Sequence, residues 1–129
     1  MSGLERMISG VTGTGDHARE SDLKTRYYRG PLREVVERIR KLPSEDNRFR
    51  LVHVDEDRGE VMLEHRGVLG ITHDVVVTPV AMTPLSIAVD VHAAIRGRMW
   101  DFGGWNRKLI RAIYTYLDRH LSPSSGSAK

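Results

Sequence analysis

Glu64, Asp74, Asp90 and His92, flanked by Arg66 and Arg96, are the residues of this 129-residue chain whose types could do chemistry together. Carboxylates and an imidazole carry protons near neutral pH, and two guanidinium forks can orient an anion by paired hydrogen bonds. Period-two alternation puts all six on one sheet face if strands over 49–55 and 60–66 pair as a hairpin. Pairing 72–78 antiparallel with 86–92 then brings Asp74 near Asp90 and Thr72 near His92. That surface would bind an anion or carboxylate, with His92 shuttling a proton. The blander account is a set of cross-strand ion pairs that keep an open face soluble, each worth little. The second account is the more economical.

A second cluster lies in the loop 97–106, where Trp100 and Trp105 would wall a pocket and Asp101, Asn106 and Arg107 would supply polar contacts. Each of these residues also has a sufficient structural role. Asp101 suits the start of a helix, Gly103 and Gly104 allow a tight entry, and Trp105 fits a core. Arg96, Arg98, Arg107, Lys108, Arg111 and Arg119 outnumber Asp101 and Asp118 locally, and a solvated helix face explains that surplus better than phosphate contacts do.

Other chemistries find less support. The chain has six His and no Cys, so thiolate ligands, disulfides and a Cys nucleophile are excluded. No His-Glu-x-x-His pair occurs, His73 and Asp74 point to opposite faces of a strand, and His53 and His65 lie diagonal, so no metal is expected. Ser86 lacks the turn of a nucleophile elbow. The run Gly-Val-Thr-Gly-Thr-Gly at 10–15 lacks both the Lys-Ser/Thr ending and the preceding strand of a phosphate loop.

The elements that must position these residues follow from periodicity. Residues 24–29 read as a short strand. Pro31 then starts a helix whose stripe is Leu32, Val35, Val36, Ile39 and Leu42, ended by Pro43. The hairpin turns at Asp57-Arg58-Gly59, with Gly59 left-handed. Its register puts Phe49, Leu51, His53, Val61, Leu63 and His65 on the core side. Residues 72–78 are a third strand of this series, and the two prolines of 79–84 mark a turn. From 85 to 95 the alternation is strict, with Leu85, Ile87, Val89, Val91, Ala93 and Ile95 inward. A last helix shows the stripe Trp105, Leu109, Ala112, Ile113, Tyr116 and Leu117.

This order, β-α-β-β-β-β-α, predicts an α+β domain over 23–121. It would have an antiparallel sheet of about five strands with both helices on one face, in a TATA-binding-protein-like or small helix-grip-like layout. That analogy concerns fold and carries no DNA binding. Residues 1–22, with Gly10, Gly13 and Gly15, are expected to be flexible unless they dock, and 122–129 to form a disordered tail.

The segments Leu63-Glu64-His65-Arg66 and Gly70-Ile71-Thr72-His73-Asp74-Val75 resemble a Glu-x-Arg-Ser and Asp-Asp-Val block. Val89-Asp90-Val91-His92, Arg96 and Asp101-Phe102-Gly103 are similar to a Val-Arg-Ser, Ser-Arg and Asp-Leu-Gly run, and Asn106-Arg107-Lys108-Leu109-Ile110 to a closing Asn-Arg-x-x-Ile. The family these segments resemble is the uncharacterised bacterial and plastid group called domain of unknown function fourteen-ninety-nine, and the likeness extends loosely over 24–121. Gly104-Trp105 stands where that family has one residue, His92 where it has Arg, and Ile95 where it has Ser. The resemblance implies no activity or cofactor.

Composition bounds the rest. The chain is 40% hydrophobic and 29% charged with a formal net charge of +3, and it has no run near the ~20 apolar residues of a membrane span. No signal-like segment opens it, so a cytoplasmic location is expected. The expected function is a ligand- or partner-binding domain without chemistry, cofactor or metal. Its partner would be a small ligand, a protein or a second copy across the polar face. An enzyme using acid/base chemistry on that face is the alternative, and weak nucleic-acid binding comes third.

Overall fold

The computed structural model describes residues 11–97 and 104–124. Six antiparallel strands form one sheet: β1 Val11–Gly13, β2 Arg26–Arg29, β3 Phe49–Asp55, β4 Glu60–Arg66, β5 Thr72–Thr83 and β6 Ser86–Ile95. Three helices accompany it: α1 Leu32–Arg40, the single turn α2 Leu42–Glu45, and α3 Trp105–His120. The strand order is β1-β6-β5-β4-β3, with β2 also on β6. The α+β architecture with an antiparallel sheet is the one expected.

The core follows from the register. Val61, Val77 and Val91 form one row across β4, β5 and β6, and Leu63, Val75 and Ala93 form the next. All six are at most 1% exposed. Against this face pack Val35 and Ile39 of α1, Leu42 of α2, and Ile110, Ile113, Tyr114 and Leu117 of α3. Both long helices thus cover one face, because each has one apolar stripe to bury. Each buried aliphatic side chain contributes ~1.5–3 kcal/mol relative to exposure.

Several expectations are corrected. The hairpin strands have the expected bounds, and Gly59 is left-handed at φ 75°. Its turn spans residues 56–59, and the Asp55 carboxylate accepts the N–H groups of Asp57 and Arg58. A bulge lies between Leu51 and His53, however, so Val54 pairs with Val61 and packs on the core. His53 is exposed instead, opposite Met62. The extra residue reverses the alternation, as a bulge must.

Pro79 does not end β5, which continues to Thr83. Beyond Thr78 this strand pairs with β6 alone, and an edge tolerates a missing N–H. The turn therefore falls at Pro84–Leu85, and Leu85 is 62% exposed rather than inward. The stripe of α3 is wider than expected: Leu109, Ile113, Tyr116 and Leu117 are buried as expected and Asn106, Ile110 and Tyr114 are buried beside them, while Ala112 is exposed and Trp105 is half-buried.

The two ends are more ordered than their composition suggests. β1 and β2 both lie along the outer side of β6, opposite residues 92–94 and 86–89, as one edge strand interrupted by the excursion 14–25. Gly15 and Leu23 close the excursion by a backbone bond of 3.0 Å. Residues 122–124 run along β2: the Arg29 N–H donates to the Ser122 carbonyl and the Ser124 N–H to that of Tyr27. Both segments dock on the sheet, and docking supplies the partners their own sequence lacks.

Candidate functional site

The open face of the sheet is built from the residues that alternate with the core. Arg50, Glu64, Asp74 and Ala94 form one row across β3, β4, β5 and β6. Arg96 reaches over it, its Nε donating to Asp74 Oδ2 at 3.2 Å and its Nη2 to Asp74 Oδ1 and Glu64 Oε2. Arg50 donates through Nε and Nη2 to Glu64 Oε1 at 3.2 and 3.0 Å. Both Glu64 oxygens are thereby occupied, and these guanidinium bonds hold its carboxyl below the usual range. The bonds to Asp74, and after them the bond to Glu64, raise the proton affinity of Arg96. Side chains of Arg96 and Asp74 remain half exposed. This is a solvated cross-strand network whose forks already hold carboxylates.

The expected companions of that network lie elsewhere. Asp90 pairs with Thr78, not Asp74, and His92 pairs with Val76, not Thr72. The longer β5 shifts the register by four residues, so Asp74 and Asp90 are separated by ~13 Å along the strands. Asp90 lies where the edge strand is interrupted, and its Oδ1 accepts the Thr14 and Thr25 hydroxyls, each at 2.6 Å. The His92 ring covers Gly13 so closely that no Cβ fits there, which gives that glycine its reason. Arg66, opposite Thr72, is exposed and makes no ion pair among the described residues.

Of the loop cluster, Trp100 and Asp101 lie outside the described residues. Gly104 enters α3 in a left-handed conformation at φ 66°. Asn106 is fully buried on the inner face of α3. Arg107 clamps the excursion, donating to Asp22 Oδ2 at 2.8 Å and Oδ1 at 2.7 Å, and thereby lowers the Asp22 pKa.

A concave site with mixed chemistry lies on the helix side, at the end of the sheet. Beyond the Leu63–Val75 row come His65 and His73, directly opposite each other with ring centroids 5.9 Å apart. They occupy core-facing slots where the alternation would otherwise place aliphatic residues. The first turns of α3 stand over them, and Trp105, Lys108, Leu109 and Ala112 recur at helical spacing along the cleft wall. With Arg48, Gly67 and Ile71 these residues line a cleft of about 240 Å³. Part of the apolar stripe expected on α3 thus faces a cleft rather than the sheet.

Electrostatically the cleft has one sign. Among the described residues it is lined by Arg48, Lys108 and the two histidines, and by no carboxylate. Asp46, outside the lining, holds Arg48 through Nε and Nη2 at 3.1 and 2.9 Å. Lys108 is exposed and makes no ion pair among the described residues. Burial lowers the proton affinity of His65, and the positive charge of Arg48 and the neighbouring His73 lower it further. His65 Nδ1 is buried and has no hydrogen-bond partner among the described residues. Burial without a partner is costly for such an atom.

Sequence reading named Trp105 as a pocket wall but missed the histidine pair, Arg48 and Lys108. The available signal was His65 following Val61 and Leu63, and His73 preceding Val75 and Val77, on the core parity of adjacent strands. Among the described residues no group of three or more His, Asp or Glu side chains is placed to hold a metal, and no helix is long and apolar enough to cross a membrane. No family model, curated protein or solved structure matches this chain, so the family resemblance rests on the quoted segments alone.

Proposed function

We propose that this chain is a small ligand-binding domain without chemistry of its own, and that its ligand occupies the cleft between the His65–His73 end of the sheet and α3. The observation that carries this reading is the contrast between the two faces. On the open face Arg50 and Arg96 are committed to Glu64 and Asp74 in solvent. In the cleft, polar groups converge over apolar walls in a concavity, the arrangement small-molecule sites share.

Acid/base chemistry on the polar face draws no support from this geometry, because Arg96 neutralises the Glu64 and Asp74 carboxylates on a solvated face and Asp90 lies away from them. A fragment screen followed by backbone amide shifts tests the proposal. Hits should move Gly67, Ile71, His73, Trp105 and Leu109. Hits that move only Glu64, Asp74, Ala94 and Arg96 would place the binding surface on the open face and end this reading.

A further inference from the structure

We infer that the cleft takes a small organic anion, a carboxylate or a phosphate ester attached to a flat apolar body. This inference rests on the cleft being the binding site. The sign comes first. Arg48, Lys108 and two imidazoles line the site, and the described lining residues include no carboxylate. Asp46 engages Nε and Nη2 of Arg48, leaving Nη1 uncommitted among the described residues. The amino end of α3, which Trp105 opens beside the cleft, adds the positive pole of the helix. A charged ligand at these donors forms the stronger, charge-assisted kind of hydrogen bond.

The apolar body follows from the walls. Trp105, Leu109, Ile71 and Ala112 offer an aromatic face and aliphatic contacts. A dry cavity of roughly 150 Å³ admits benzene, so about 240 Å³ holds an aromatic ring with a charged head beside it. His65 ties the two halves together. Its Nδ1 is buried without a partner, and it is surrounded by Phe49 and Arg48 at the start of β3, His73 on β5 and the Gly67 turn. Among the described residues, Asp46 is the group whose charge favours protonation of His65. An anion in the cleft adds a second, so binding and protonation of His65 reinforce each other. Affinity therefore rises as pH falls below 6.5, the ordinary histidine value from which His65 is lowered.

The full chain is titrated with benzoate, phenyl phosphate, benzyl alcohol, benzamidine and inorganic phosphate, using calorimetry and amide shifts. Benzoate and phenyl phosphate should bind at the cleft at least ~10-fold tighter than benzyl alcohol, with benzamidine excluded. Their ranking separates a carboxylate from a phosphate-ester ligand. Binding of benzoate should tighten as pH falls from about 7 to about 5. Lys108→Glu should abolish that preference for anions while leaving the thermal midpoint unchanged, because Lys108 is exposed and unpaired among the described residues. Benzyl alcohol or benzamidine binding the cleft as tightly as the anions overturns the anion inference and leaves the cleft reading intact. Inorganic phosphate binding equally well removes the apolar body, and no shift from any probe removes the inference altogether. Shifts confined to the open face overturn both readings.

Discussion

Thr14→Val replaces a buried hydroxyl by a methyl of the same shape, so it tests hydrogen bonding without opening a cavity. Thr14 is 2% exposed. Its hydroxyl donates to Asp90 Oδ1 at 2.6 Å and accepts the Val91 N–H at 2.9 Å. The Tyr114 hydroxyl stands 3.0 Å away, its one proton serving the nearer Val89 carbonyl at 2.8 Å. Valine leaves the Val91 N–H buried and unsatisfied, a cost of ~1–3 kcal/mol, and removes a bond to a charged group worth ~1.5–3 kcal/mol. Asp90 keeps the Thr25 hydroxyl and the two losses share one centre, so the expected total is about 2–4 kcal/mol rather than their sum. With a urea m-value of roughly 2 kcal/mol/M, the midpoint should fall by about 1–2 M at unchanged m. Thr14→Ser keeps the hydroxyl and should cost less than half as much. A Thr14→Val loss below ~0.5 kcal/mol, or an equal loss in the serine variant, would refute the hub.

Three further outcomes are expected. Ile110→Ala empties a fully buried site between α3 and the sheet and should cost ~2–5 kcal/mol in denaturant unfolding; a loss below about 1 kcal/mol would mean that α3 is loosely seated. Arg96→Ala breaks three bonds on a solvated face, yet the urea midpoint should barely move, and any difference should vanish in ~1 M salt. A large, salt-independent loss would show that the open face is a structural centre. His65 has a lowered pKa when folded, so the unfolded chain binds its proton first. The stability tied to His65 is present above 6.5 and is lost as pH falls through the folded value. His65→Gln should flatten this limb of the stability–pH curve, and an unchanged limb would assign it to another group.

Much of the fold is legible in the sequence where local chemistry and tertiary pairing agree. Gly59 and the alternating residues on either side of it mark the hairpin, and the stripe from Leu32 to Ile39 marks α1. What escapes local reading depends on partners far away in sequence. Nothing near Val52 marks the bulge that turns His53 outward and Val54 inward. Pro79 reads as a stop, and only the end of β4 at Glu60 reveals that it sits on an open edge. Val11–Gly13 shows no sustained alternation; its order comes from pairing with residues 92–94 and from Thr14 bonding residues 76 and 77 positions away. The same limit hid the site. Glu64, Asp74 and Arg96 share a surface as the alternation predicts, while the register shift moves Asp90 and His92 along β6 away from them. The cleft combines residues from four separate segments, and only the pairing of His65 with His73 beneath α3 unites them.

The most direct test of the central claim is a crystal structure of the chain grown with phenyl phosphate. The account predicts density between Trp105 and Leu109 on one side and His65 and His73 on the other, with the charged head toward Lys108 and Arg48. Density lying instead on the open face, against Arg96 and Glu64, would contradict it.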